Sequence, residues 1–179
     1  EADWFAEIES FPSGVLAEQY PAIPNLGDMT KIADMVLTGE VTAPDVLVGG
    51  TPCQAYSIAG ARKGLADERG LLTLKYVELL DAIDTHRHQA EKPPIIAVWE
   101  NVPGVLFMPD NAFGHLIAGL AGGNEAAEPG HRPEHGKSNA FWRWNAKTGS
   151  HVPKWTTAGC ITGPKRQVAW RVLDAKHFG

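Results

Sequence analysis

Asp45-Val46-Leu47-Val48-Gly49-Gly50-Thr51-Pro52-Cys53-Gln54 and Pro94-Ile95-Ile96-Ala97-Val98-Trp99-Glu100-Asn101-Val102 decide how this chain folds. Each is a short apolar run, rich in β-branched side chains, that ends in small or polar residues. Such runs, bounded by turn formers, read as buried strands. A thiol leaves the tip of the first strand and a carboxyl leaves the tip of the second. In a parallel open sheet the carboxyl ends of the strands border one crevice, where ligands bind. A nucleophile and a proton donor are therefore expected to face one substrate.

Outward from these runs, helices alternate with strands. Leu71 to Ile83 places Leu72, Tyr76, Leu79, Leu80 and Ile83 on one side of a helix. Upstream, Trp4 to Ile8 reads as a short strand and Ser10 to Tyr20 as a helix with Phe11, Val15, Leu16 and Tyr20 at helical spacing. Thr30 to Leu37 reads as a helix capped by Thr30. Downstream, Asn111 to Leu120 reads as a helix and Gln167 to Leu173 as a strand. The alternation predicts an α/β fold, a doubly wound and mostly parallel sheet. Residues 51–70 form a long loop of the kind that is usually functional, often a lid. A basic, Trp-rich stretch at about 122–165, low in apolar residues and with many Gly and Pro, is expected to be an irregular insert.

With 179 residues, 44% of them hydrophobic, the chain is sized for one packed domain. No run approaches the roughly 18 apolar residues that span a bilayer, and no secretory leader is visible. Two cysteines make a poor disulfide framework, so reduced thiols and a cytoplasmic location are expected. The net charge of −5 hides a split. Residues 131–176 hold nine Lys/Arg and two Asp/Glu, whereas 1–130 hold seven and nineteen. The basic stretch carries Trp142, Trp144, Trp155 and Trp170. Basic side chains interleaved with aromatics suit a polyanion with stackable bases; a solvated loop anchored by tryptophans is the plainer reading.

Gly50-Thr51-Pro52-Cys53-Gln54-Ala55-Tyr56-Ser57-Ile58-Ala59-Gly60 and Trp99-Glu100-Asn101-Val102-Pro103-Gly104-Val105 resemble the two signature motifs of DNA cytosine-5 methyltransferases of phage and bacterial type. Other segments follow in the family's order. Phe5-Ala6-Glu7-Ile8-Glu9 resembles its acidic motif and Asn25-Leu26-Gly27-Asp28-Met29 its Gly-Asp motif. Ala66-Asp67-Glu68-Arg69-Gly70-Leu71-Leu72 resembles the segment after the catalytic loop, and Val168 to Ala175 the strand leading to an arginine-rich motif. The match covers about 1–117 and 158–179. It implies an S-adenosylmethionine-dependent, Rossmann-like catalytic domain acting on double-stranded DNA, in DNA methylation and restriction–modification. The glycine-rich motif before Trp4, and the arginine-rich motif and target-recognition region after Gly179, are missing from the pattern. Residues 1–179 are therefore expected to be a partial catalytic domain with an incomplete donor site, inactive alone and partnered by the rest of the methyltransferase.

Carbon 5 of cytosine is a poor nucleophile until a thiolate adds at carbon 6, which splits one hard step into two. Cys53 is the expected nucleophile. A free thiol titrates near ~8.5, so the site must stabilise the thiolate. Taken alone, a lone Cys is more often a small buried hydrophobe; Pro52, Gln54 and Glu100 change that reading. Glu100, kept protonated in a dry pocket, would donate to ring nitrogen 3. The apolar strand before it predicts burial. Glu7 fits the carboxylate that grips ribose hydroxyls in doubly wound folds. By resemblance, Asp28 would accept from the adenine amino group, and Pro52 and Leu72 would line the donor pocket. Gln54, Ser57 and Arg69 are candidates for DNA contacts, and Asn101 would order the turn beside the substrate. A base inside a duplex must rotate out to reach a thiol, which gives the 55–70 loop a closing role.

Three other readings use the same residues. A tRNA cytosine-5 methyltransferase shares the Cys and Glu motifs. A non-catalytic DNA-binding fragment would use the basic stretch alone. A thiol hydrolase needs a His beside Cys53, which the local sequence does not supply. A zinc site from His131, His135, His151 and Cys160 competes with a reading of ordinary loop histidines; Pro133 breaks the helix that the His131–His135 pair prefers, and no metal is expected.

Overall fold

The computed structural model describes residues 2–51, 68–174 and 176, with backbone only for 68–71. Pro52, Cys53, Gln54 and Ser57, most of the expected loop and the side chain of Arg69 lie outside the described residues. The chain divides into two compact units, 1–51 with 74–100 and 52–73 with 101–179.

In the first unit, β1 (Val46–Gly49) and β2 (Ile96–Trp99) pair in parallel, with Val46 opposite Ile96, Val48 opposite Val98 and Gly49 opposite Trp99. Helix α3 (Glu68–Gln89) lies between them in sequence and belongs to this unit from Leu74 onward. Tyr76, Leu79, Leu80 and Ile83 are buried at the spacing of one helix face. Each such side chain stabilises the unit by roughly 1.5–3 kcal/mol. Leu47 is buried with them, as are Ile32 and Val36 of α2 (Ile32–Leu37). Arg87, buried near the end of α3, pins the start of both strands. Its Nη1 donates to Asp45 Oδ1 at 2.6 Å and to Pro44 O at 3.0 Å, and its Nε donates to Pro93 O at 2.7 Å.

The structure departs from several expectations. The parallel pair is covered on one side only: Val46, Val48, Ile96 and Val98 are exposed. Among the described residues the parallel sheet has two strands, so a doubly wound sheet is not displayed. Trp4 to Ile8 makes a single parallel bridge, Phe5 with Asn25, in place of a strand. Helix α1 (Ser10–Gln19) forms where expected but buries nothing, and Phe11 is 81% exposed. The expected Thr30 cap is Asp28, whose side chain accepts from Thr30 N at 3.0 Å and opens a 3₁₀ turn, Met29–Lys31, ahead of α2. Aspartate is the stronger cap because its carboxylate accepts without competing as a donor.

The second unit is built on α4 (Ala112–Ala121), which buries Phe113, Leu116 and Ile117. Asn111 precedes it at φ 57, a left-handed conformation that Asn tolerates. Its side chain donates to Ala127 O at 2.8 Å and accepts from Trp155 Nε1 at 2.9 Å. Phe113, Trp155 and Trp170 meet edge to face with centroids 5.3–5.6 Å apart, a favoured aromatic geometry. The expected irregular insert carries a regular antiparallel hairpin, β3 (Trp142–Asn145) with β4 (Ser150–Pro153). Gln167 to Leu173 does contain a strand, β6 (Gln167–Arg171), but it pairs antiparallel with β5 (Ala158–Thr162). No described helix is long and apolar enough to cross a membrane.

Candidate functional site

The carboxyl ends of β1 and β2 are held together past the last strand pair. Glu100 N donates to Gly49 O at 3.0 Å, and Trp99 Nε1 donates to Thr51 Oγ1 at 3.1 Å. Beneath them, the Tyr76 hydroxyl lies 3.4 Å from Leu47 O and 3.2 Å from Val98 O, one carbonyl from each strand. Burial pushes this phenol up to about 12. Gly49 and Gly50 both stand where neighbours approach closely. A Cβ on Gly49 would sit 2.9 Å from the Tyr76 ring. One on Gly50 would sit 3.0 Å from Glu100 O and 3.5 Å from Glu100 Oε2. The Glu100 carboxyl therefore lies against the backbone of Gly50.

Glu100 is exposed, against the expectation of burial. The reason is the two-residue period of a strand. Ile96, Val98 and Glu100 share a face, and that face is the uncovered one. The next residue, Asn101, accepts from Val102 N at 2.8 Å and orders the turn that leads into a 3₁₀ helix, Pro103–Phe107.

Glu7 and Asp28 stand on two joined segments. Phe5 N donates to Pro24 O at 2.9 Å and Leu26 N to Phe5 O at 2.8 Å. Asn25 knits them further: its Oδ1 accepts from Glu7 N and Gly27 N, and its Nδ2 donates to Glu7 O. Glu7 Oε1 accepts from Glu9 N at 2.8 Å, at the start of α1, and Oε2 makes no bond among the described residues. The Thr30 hydroxyl, 2.8 Å from Asp28 Oδ1, is the main reason the Asp28 carboxyl is held below the usual carboxylate range; the Thr30 backbone N–H adds to it. Leu72 is half-buried in the second unit.

Sequence reasoning missed Gly50, Thr51, Trp99 and Tyr76 as supports of the strand ends. Gly49-Gly50 was the available signal, since paired glycines at a strand tip mark a close backbone approach. It also missed a cavity of about 640 Å³ in the second unit, bordered by His115, Arg132, Trp144 and His151 among others. Arg132 stacks 4.2 Å over the Trp142 ring and pairs with Glu128 at 2.6 Å. Burial lowers His115 below the usual imidazole value, with Asp110 opposing. His135 packs on Trp144, and His151 Nε2 lies 3.0 Å from Lys137 O. Among the described residues no group of three His, Cys, Asp or Glu is placed to hold a metal.

The family model for C-5 cytosine-specific DNA methylases matches residues 1–121. A protein of Escherichia phage P1 named DNA N-6-adenine-methyltransferase is 66% identical over 176 residues, 98% of this chain and 23% of that protein. Orphan methyltransferase M.SPRI of Bacillus phage SPR is 36% identical over 104 residues, 57% of this chain and 21% of its own length. Type II methyltransferase M.NgoBV of Neisseria gonorrhoeae is 36% identical over 106 residues, 59% of this chain and 22% of its own. The chain thus spans less than a quarter of each of these relatives. No solved structure matches it.

Proposed function

We propose that this chain, which belongs to the C-5 cytosine-specific DNA methylase family, takes part in moving a methyl group to carbon 5 of cytosine in duplex DNA. The observation that carries the reading is the Glu100 carboxyl lying against Gly50. Three residues farther along the chain is Cys53, a tether of at most about 11 Å between Cα atoms.

In this mechanism the Cys53 thiolate forms a bond to carbon 6 of a cytosine rotated out of the duplex. Glu100 supplies a proton to ring nitrogen 3, so the ring accepts the electron pair and carbon 5 becomes nucleophilic. Once carbon 5 carries the methyl group, loss of its proton to a base, departure of the Cys53 sulfur and return of the nitrogen-3 proton to Glu100 restore the ring. Donation from Glu100 needs the bound base to exclude water from it, since the residue is exposed without one. Gln54, Ser57, Arg69 and Asn101 would border the base or its phosphates.

S-adenosylmethionine, when bound, supplies an electrophilic methyl group. The residues present suit it: among the described residues Glu7 Oε2 makes no bond and is available to ribose hydroxyls, and Asp28 Oδ2 lies outside the Thr30 bonds, 3.8 Å from Lys31 Nζ. Pro52 and Leu72 would line the same pocket.

The name of the phage P1 relative favours a second reading, methylation of the adenine amino group. An exocyclic amine can attack a methyl donor without a covalent thiol, so the two readings part at Cys53. The test uses the full-length parent carrying Cys53→Ser, with methylated duplex digested to nucleosides. Cytosine-5 chemistry predicts 5-methylcytosine from the wild type and none from the variant, with donor binding intact. N6-methyladenine from both proteins would overturn the reading.

A further inference from the structure

Residues 135–173 contain seven Lys/Arg and no Asp or Glu, in a chain with 21 acidic residues and a net charge of −5. No acidic residue within that stretch offsets them. Some of it is engaged: Lys137 pairs with Glu134, and Lys154 Nζ donates to Asn139 O at 2.6 Å. Arg143 and Lys147 are exposed and have no partner among the described residues. Both belong to the β3–β4 hairpin, one on β3 and one in its turn.

The hairpin is built so that its tip needs nothing further. Trp142, fully buried, donates from Nε1 to Gly130 O at 2.9 Å. Asn139 Oδ1 accepts from both Phe141 N and Trp142 N, and Ser138 Oγ accepts from Trp144 N. The turn closes on itself: Lys147 N donates to Asn145 Oδ1 and Gly149 N to Asn145 O. Gly149, at φ +63, supplies the left-handed residue. An isolated two-stranded hairpin is marginal in water, and here the buried base fixes it while the cationic tip faces solvent.

We propose that the β3–β4 hairpin is a duplex-DNA contact, gripping backbone phosphates through Arg143 and Lys147, outside the 1–121 segment shared with the family. A two-stranded ribbon of this kind fits the major groove. Identifying the polyanion as duplex DNA rests on the methylase reading; the hairpin's cationic character does not. With the chain as a whole negative, attraction comes from this local patch. Opposite charge elsewhere is muted beyond a Debye length of about 10 Å at 0.1 M salt.

The test is fluorescence anisotropy of the full chain with a 24-base-pair duplex over a salt series. Each phosphate contact contributes about 0.9 to the slope of log K against log salt. Arg143→Gln with Lys147→Gln is expected to lower the slope by about 2, with unchanged circular dichroism. The charge-keeping pair Arg143→Lys with Lys147→Arg, and Lys92→Gln in the first unit, are expected to keep it. An unchanged slope in the Gln pair overturns the hairpin contact while leaving DNA as partner. No wild-type binding at 50 mM salt, or displacement of the duplex by an equal amount of RNA duplex, overturns DNA as the ligand of this surface. Neither of these results bears on Cys53, which the nucleoside assay tests separately.

Discussion

The two units solve the same problem, burying short strands, in opposite ways. The parallel pair β1–β2 is made almost wholly of apolar residues, yet only one of its faces is covered. Half of the strand residues of the antiparallel hairpin β3–β4 are polar, yet Trp142, Val152 and Pro153 at its base are fully buried. Apolar composition alone therefore does not locate a core. What locates it is a second element that supplies the other surface: the stripe of α3 for β1–β2, and the 3₁₀ helix Pro103–Phe107, with Val105 and Leu106 buried, for the hairpin.

Substitutions can break or sharpen this contrast. The largest effect is expected from Trp142→Ala, which empties the base of the hairpin and costs about 3–5 kcal/mol. Hydrogen exchange should then show protection lost at 142–153 and retained at 76–83. Equal loss in both units would remove the distinction between them. Arg87→Met comes next, at about 2 kcal/mol, because the carbonyls of Pro44 and Pro93 lose their donor. The Asp45 pairing adds little, since that carboxylate is largely exposed. Urea denaturation measures it.

Tyr76→Phe should cost about 1 kcal/mol, the usual worth of a buried hydroxyl's hydrogen bond. It also sets an alkaline limit. With the folded phenol pushed up to about 12 and the unfolded one near 10, its contribution is complete below pH 10 and fades as pH rises from 10 to 12. The Phe variant should lose that portion of the alkaline slope. The smallest effect belongs to His115 in the second unit. Its imidazole is lowered by burial, so stability is complete above the unfolded value of 6.5 and falls as pH drops below it. His115→Asn should flatten that acid slope in thermal melts run between pH 4.5 and 7.

Some of this was legible in the sequence. Tyr76, Leu79, Leu80 and Ile83 announce the buried face of α3 because a 3.6-residue period is hard to produce by chance over about two turns. The end of β2 at Trp99, and with it the place of Glu100 beside the β1 tip, follows from the apolar run that precedes it. The exposure of Glu100 did not, because a continuous apolar strand implies cover on both faces, and periodicity carries no information about what the second face meets. Phe11 and Val15 misled in the same way, since helical spacing shows that side chains share a side but not that anything packs there. The β3–β4 hairpin escaped notice because its turn, Ala146-Lys147-Thr148-Gly149, lacks the Asn-Gly or Asp-Gly pair that marks two-residue hairpins. Asn111, which ties α4 to Trp155, has no sequence signature at all; its partner lies 44 residues away.

Val46 beside Ile96 and Val48 beside Val98 form a two-by-two block of aliphatic side chains facing water. Contiguous apolar surface of this sort governs colloidal behaviour as much as fold. Purified chain should brighten an environment-sensitive dye while still native, and its solubility should fall with added sulfate. Replacing Val48 and Ile96 with threonine should relieve both without disturbing the strand register.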